Sequence, residues 1–96
     1  KSVTVPYSDE FKTQFVNGFG IYSGASLPAF IKLAKKKGYR LIGVEKYGFN
    51  AFFMRNDVGH DIFPEENILN CVDLPFVKWA KEKFLPMVKD LFWEEV

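Results

Sequence analysis

The chain reads as one α/β domain, and three observations carry that reading. Residues 26–37 place apolar side chains at helical spacing between a serine and a glycine. Two short apolar runs, residues 39–44 and 51–55, flank a turn and read as a β-hairpin. A second, longer helical pattern begins after Asp73. Ninety-six residues leave room for a single domain, with little surplus of buried surface to stabilise it.

In chain order, Ser2 to Val5 alternate polar and apolar and read as a strand that Pro6 ends. Residues 7–23 are mixed. Phe11 and Phe15 lie four apart and predict one or two helical turns, which Asn17, Gly18 and Gly20 then break. The helix over 26–37 has Ser26 as N-cap and Pro28 in its first turn, where a missing N–H costs nothing. Leu27, Phe30, Ile31 and Ala34 form its buried stripe, and Gly38 supplies the left-handed stop. In the hairpin, Leu41-Ile42 and Ala51-Phe52-Phe53-Met54 are nearly continuous apolar runs, which predicts strands covered on both faces.

Past Asn56-Asp57, Pro64-Glu65-Glu66 reads as the first turn of a short helix toward Leu69. Asp73 reads as the cap of the longer helix, with Pro75 in its first turn. Val77, Ala80, Phe84, Val88 and Leu91 form its buried stripe, widened by Phe76, Trp79 and Phe92. Pro86 is expected to kink or split it near Phe84-Leu85.

Composition narrows the function classes. Thirteen Lys and Arg against twelve Asp and Glu argue against a dedicated nucleic-acid binder, which carries a clear basic excess. A single cysteine excludes an internal disulfide framework. No apolar run approaches the roughly 18 residues of a membrane span, and the expected setting is cytoplasmic. Eleven phenylalanines are more than one small core hides easily, so part of the aromatic surface is expected to face a partner, a ligand or a missing half-domain.

No catalytic constellation stands out. Lys32, Lys35, Lys36, Lys37 and Arg40 form a basic run that suits a phosphate or acidic partner, and equally a solvated last helical turn. Asp57, Asp61, Glu65, Glu66 and Asp73 form an acidic stretch, and the two segments are expected to attract one another within or between copies. His60 with its neighbouring carboxylates is the one cluster with metal-ligand chemistry, but its spacing matches no strong signature and no metal is expected. Cys71, set among Leu69, Asn70 and Val72, reads as a buried, inert thiol rather than a nucleophile partnered by His60.

Three stretches carry a family resemblance: Tyr22-Ser23-Gly24-Ala25-Ser26-Leu27, then Lys32-Leu33-Ala34-Lys35-Lys36-Lys37-Gly38-Tyr39-Arg40-Leu41-Ile42-Gly43, then Phe49-Asn50-Ala51-Phe52-Phe53-Met54-Arg55-Asn56-Asp57. Together they resemble the carboxyl-terminal part of bacterial FkbM-like, class I S-adenosylmethionine-dependent methyltransferase domains. The likeness covers residues 22–57, with a looser one at the opening strand and Pro6-Tyr7, and nothing specific after Gly59. It implies a partial Rossmann-like fold, in which this region is the last crossover helix and the terminal antiparallel β-hairpin, joined here to a carboxyl-terminal helical segment.

The resemblance also bounds the chemistry. The family holds S-adenosylmethionine through a Gly-rich turn after its first strand and an acidic residue ending its second. Both lie in the amino-terminal half, and this sequence has neither, so no catalytic or cofactor-binding residue is assigned. S-adenosylmethionine would belong to the parent domain. By resemblance the chain contributes at most to the substrate side of the cleft, with Tyr22, Ser23, Ser26 and Asn50 as the candidate positions. The residues alone also read as a turn and cap at Gly24 and Ser26 and a turn end at Asn50.

Because the sequence opens inside a strand-like segment, it is expected to be cut from something longer, a trimmed tag or processed terminus being the alternative. A carboxyl-terminal fragment of a methyltransferase-like protein, inactive alone, is one expectation. Its partner is then the missing amino-terminal half, or a second copy bound through the sheet edge and aromatic surface. A complete small protein-interaction module is the other.

Overall fold

The computed structural model describes residues 1–6, 8, 14–16, 19–22, 24–47 and 49–96, the strand residues 14–16 and 19–22 in their backbone only. The order is β1 (Val3–Thr4), β2 (Gln14–Val16), β3 (Phe19–Tyr22), α1 (Leu27–Lys36), β4 (Tyr39–Val44), β5 (Ala51–Arg55), α2 (Ile68–Val72), α3 (Pro75–Val88) and β6 (Glu94–Glu95). The described strands form three two-stranded ladders, β1–β6, β2–β3 and β4–β5, each antiparallel. The architecture is therefore mixed α/β with small antiparallel sheets. Phe15 lies in β2, so the helical turn expected around it is corrected there, and the rest of that expectation, at Phe11, lies outside the described residues.

Helix α1 obeys its sequence signals closely. Ser26 takes the N-cap in extended conformation, and its hydroxyl accepts the Ala29 N–H at 3.4 Å. Pro28 sits in the first turn, and Gly38 ends the helix at φ 82°, a conformation that costs a residue with a Cβ. The buried position is Ala29, whereas Phe30, assigned to the stripe, is 47% exposed. The reason lies in the partner element: the chain around β1 crosses the start of α1, tied by Ser26 N–H to Val3 O at 2.8 Å and Val5 N–H to Gly24 O at 2.9 Å.

The hairpin has the expected bounds, and its irregular apolar pattern has a local cause. Leu41 pairs with Phe53 but Gly43 pairs with Phe52, so Ile42 is the extra residue of a β-bulge. A bulge interrupts alternation, which removes the need for cover on both faces. Indeed β5 is open: Ala51, Phe52 and Arg55 are exposed, while Arg40 and Leu41 of β4 are buried.

Arg40, at 2% exposure, organises the loop after the hairpin. Its Nε donates to Phe63 O at 3.0 Å, Nη1 to Arg55 O at 2.6 Å, and Nη2 to Val58 O and Phe63 O, both at 2.8 Å. The guanidinium thereby fastens residues 56–63 across the strand ends. The Glu66 N–H donates to Leu41 O at 2.8 Å and continues the attachment.

The Glu45 carboxylate organises the hairpin turn. It accepts the Tyr47 N–H at 2.8 Å, the Phe49 N–H, and the Asn50 N–H at 3.3 Å. The Tyr47 hydrogen bond, opposed by partial desolvation and helped by the Phe49 and Asn50 N–H groups and Lys46, holds this carboxyl below the usual glutamate range.

The last third corrects three expectations. Pro64–Glu66 is not helical; Asn67 caps α2 instead, its Oδ1 accepting the Leu69 N–H at 2.9 Å. Asp73 does not cap α3. It closes α2, Leu74 takes the N-cap without a side-chain bond, and the Asp73 carboxylate pairs with Lys78 at 2.7 Å. Helix α3 runs unsplit through Pro86, which falls in the last turn, where few later hydrogen bonds depend on it. Of the expected stripe, Val88 is buried, Val77, Ala80 and Phe84 are half-buried, and Leu91 and Phe92 lie exposed beyond the helix end. Val88 meets Val5, with Met87 and Trp93 against them, and the Trp93 indole donates to Val88 O at 3.0 Å.

Burial is spread thinly. The buried apolar side chains among the described residues are Val5, Ala29, Leu41, Cys71 and Val88, scattered over separate elements. The radius of gyration is 14.7 Å, above the roughly 13 Å of a compact domain of about 100 residues.

Both organising side chains can be tested. Arg40→Ala leaves several carbonyls without their donor and is expected to cost about 2–4 kcal/mol in denaturant unfolding, with Arg40→Lys recovering part of it because an ammonium lacks the planar fork. For Glu45 the folded value is depressed, so its support of the turn is present above the ordinary carboxyl range and lost as pH falls through the lowered value. The Tyr47 and Asn50 amide resonances should titrate together with a midpoint below that of an unperturbed glutamate; a normal midpoint would refute the interaction.

Candidate functional site

Of the four substrate-side candidates, Ser26 and Asn50 have described side chains. Tyr22 ends β3, where its backbone pairs with Gln14, and Ser23 lies outside the described residues. Ser26 is engaged structurally. Its hydroxyl donates to Lys1 O at 2.9 Å and accepts the Val3 N–H at 3.0 Å, besides capping α1. One side chain thus joins the start of the chain to the start of the helix.

Asn50 lies differently. It ends the hairpin turn, where its carbonyl accepts the Glu45 N–H at 3.1 Å, and it is exposed. It also lines a groove of about 520 Å³ between the start of α1, the hairpin, and the α2–α3 segment. Phe30, Phe49, Phe53, Val72 and Val77 are among its apolar lining residues. Such a volume falls within the range of small-molecule clefts, which are mostly apolar with a few polar groups.

Cys71 borders the same groove without the setting of an activated thiol. It is 4% exposed, its thiol donates to Asn67 O at 3.8 Å, and burial, reinforced by the Glu66 charge, pushes the thiol pKa up. A raised thiol pKa means less thiolate at neutral pH, the opposite of an activated cysteine. His60 stays on the exposed 56–63 loop, where Nε2 donates to the Asn56 carbonyl, and Asp57 pairs with Arg55 at 2.6 Å. Among the described residues no group of three His, Cys, Asp or Glu side chains converges as a metal site. Among them, too, no helix is long and apolar enough to cross a membrane.

The aromatic side chains that the sequence left without a location assemble into a chain of rings. Phe76 meets Tyr47 at 5.3 Å, Phe49 at 5.9 Å and Trp79 at 5.3 Å between centroids, and Trp79 meets Phe84 at 6.1 Å. Phe49 is 77% exposed and Trp79 48%. Lys46 stacks over Tyr47, and Lys83 over both Trp79 and Phe84. Helical spacing located the α3 members; the Tyr47 and Phe49 contributions, from a turn, had no periodic signal.

No family model, curated protein or solved structure matches the chain.

Replacing Ser26 by Ala removes three hydrogen bonds at one junction and is expected to cost about 1–2 kcal/mol. Denaturant unfolding measures the loss, and faster amide exchange at Val3 and Ala29 should accompany it. An unchanged midpoint would mean that the Ser26 hydroxyl is free for a ligand.

Proposed function

We propose that this chain is the carboxyl-terminal part of an FkbM-like, class I S-adenosylmethionine-dependent methyltransferase domain, structural and substrate-facing rather than catalytic by itself. The observation that supports this most is the unit formed by α1, β4 and β5. A serine-capped helix ends on a left-handed glycine and passes directly into an antiparallel hairpin, over the same residues that carry the resemblance. The apolar groove beside Asn50 is the substrate-side surface on this reading.

Cofactor binding belongs elsewhere in the parent domain. A cofactor carboxylate and ribose require free N–H groups at a strand–helix turn together with a carboxylate. At the β3–α1 junction, Pro28 offers no N–H, and the Ala29 and Phe30 N–H groups both go to Ser26. On this reading no step of methyl transfer is assigned to residues of this chain.

A second reading, a stand-alone protein-interaction module, is favoured by the ring chain from Tyr47 to Phe84, because aromatic side chains are enriched at interface centres. The two readings separate on the intact mass of the native protein in its source cell. The first expects at least twice 11.1 kDa, with S-adenosylmethionine binding by the whole protein. A native mass near 11.1 kDa would overturn it in favour of the module, whose partner binding should then fail in Trp79→Ala.

A further inference from the structure

A second cleft, of about 390 Å³, opens between α1, β4 and the segment leading into α2. Lys35 of α1 and Tyr39 of β4 line it, as do Glu65 and Glu66 of the segment before α2. Ile31, Leu41 and Ile68 add aliphatic side chains to the lining.

No ion pair joins these charged residues among the described residues. The ion pairs among the described residues are Arg55–Asp57 and Lys78–Asp73, and neither involves this cleft. The Lys35, Tyr39 and Glu65 side chains make no hydrogen bond among the described residues. Glu66 is held by one oxygen only, its Oε1 accepting the Asn67 N–H at 2.9 Å and the Asn70 side-chain amide at 2.8 Å. The separation is built into the backbone. Glu66 N–H to Leu41 O fixes the acidic segment to β4, and the buried Arg40, which also borders the cleft, ties down residues 56–63 just before it. A cleft whose backbone is already in place loses less ordering entropy on binding.

We infer that this cleft binds a small zwitterion with an aliphatic side chain, of the α-amino acid class. The ligand carboxylate meets Lys35 and Tyr39, its ammonium meets Glu65 and the free oxygen of Glu66, and its side chain covers Ile31, Leu41 and Ile68. Each charged group of the ligand then replaces water at an atom that otherwise has no hydrogen-bond partner among the described residues. The inference rests on the cleft alone and is independent of the methyltransferase reading.

The test titrates the ¹⁵N-labelled chain with L-leucine and monitors amide shifts. Two analogues run beside it: 4-methylpentanoate, which lacks the ammonium, and 3-methylbutylamine, which lacks the carboxylate. Saturable shifts at Ile31, Leu41 and Ile68 with L-leucine are expected, with each analogue at least about tenfold weaker, the loss of one charge-assisted hydrogen bond. Lys35→Ala and Glu65→Gln, both at exposed positions, should weaken L-leucine binding by a similar factor while leaving the unliganded spectrum dispersed. No saturable shift, equal response to the analogues, or unchanged binding in both variants would overturn the inference.

Discussion

The Arg40 guanidinium sets the geometry of the middle of this protein. Burying a cation costs several kcal/mol, and no carboxylate pairs with it among the described residues. The cost is offset by a set of charge-assisted hydrogen bonds to the carbonyls of Arg55, Val58 and Phe63, each contributing about 1.5–3 kcal/mol. Gain and cost are of similar size, so the main effect is conformational. An otherwise exposed loop, with few apolar side chains to anchor it, is given one position relative to the hairpin. The left-handed turn at Gly59 belongs to the same arrangement, since a Cβ there would meet Met54 Sδ at 2.8 Å.

Elements specified by local chemistry were legible in the sequence; those specified by distant partners were not. Ser26, Pro28 and Gly38 each act within a few residues of their own position, and α1 lies where they put it. The hairpin bounds likewise reflect turn and strand preferences. By contrast, Arg40 read as one more member of a basic run, because nothing near it in sequence shows that carbonyls 15 to 23 residues later will surround it. Asp73 failed as a cap by a single position: Leu74 precedes Pro75 directly, so the proline fixed the helix start and left the carboxylate to Lys78. The bulge at Ile42 explains why a broken alternation looked like a doubly covered strand. Of the candidate site residues with described side chains, Ser26 was read correctly as a cap, and Asn50 borders a cleft.

The distribution of apolar surface is the observation that any function must accommodate. Among the described residues five small or medium apolar side chains are buried, whereas Phe30, Phe49, Phe52, Trp79 and Phe92 are half or more exposed or close to it. Among the described residues β5 pairs with β4 alone, and natural sheets seldom leave such an edge without a charge, a proline or a covering element. Arg55 supplies one charge at its end, already engaged by Asp57. Cover by further chain and cover by a partner protein both satisfy this surface, and they differ in which atoms must come within reach of β5.

The basic and acidic segments show how the backbone can overrule charge. Attraction between the lysines of α1 and the carboxylates after the hairpin would close the cleft between them if the acidic segment were free to move. It is not free. The Glu66 N–H is committed to β4, and the loop before it to Arg40. A surface ion pair contributes about 0–1 kcal/mol, less than the backbone hydrogen bonds and guanidinium contacts that would have to be broken to form it. The charges therefore remain apart, and the same contacts that order an irregular loop also hold open a polar cleft beside it.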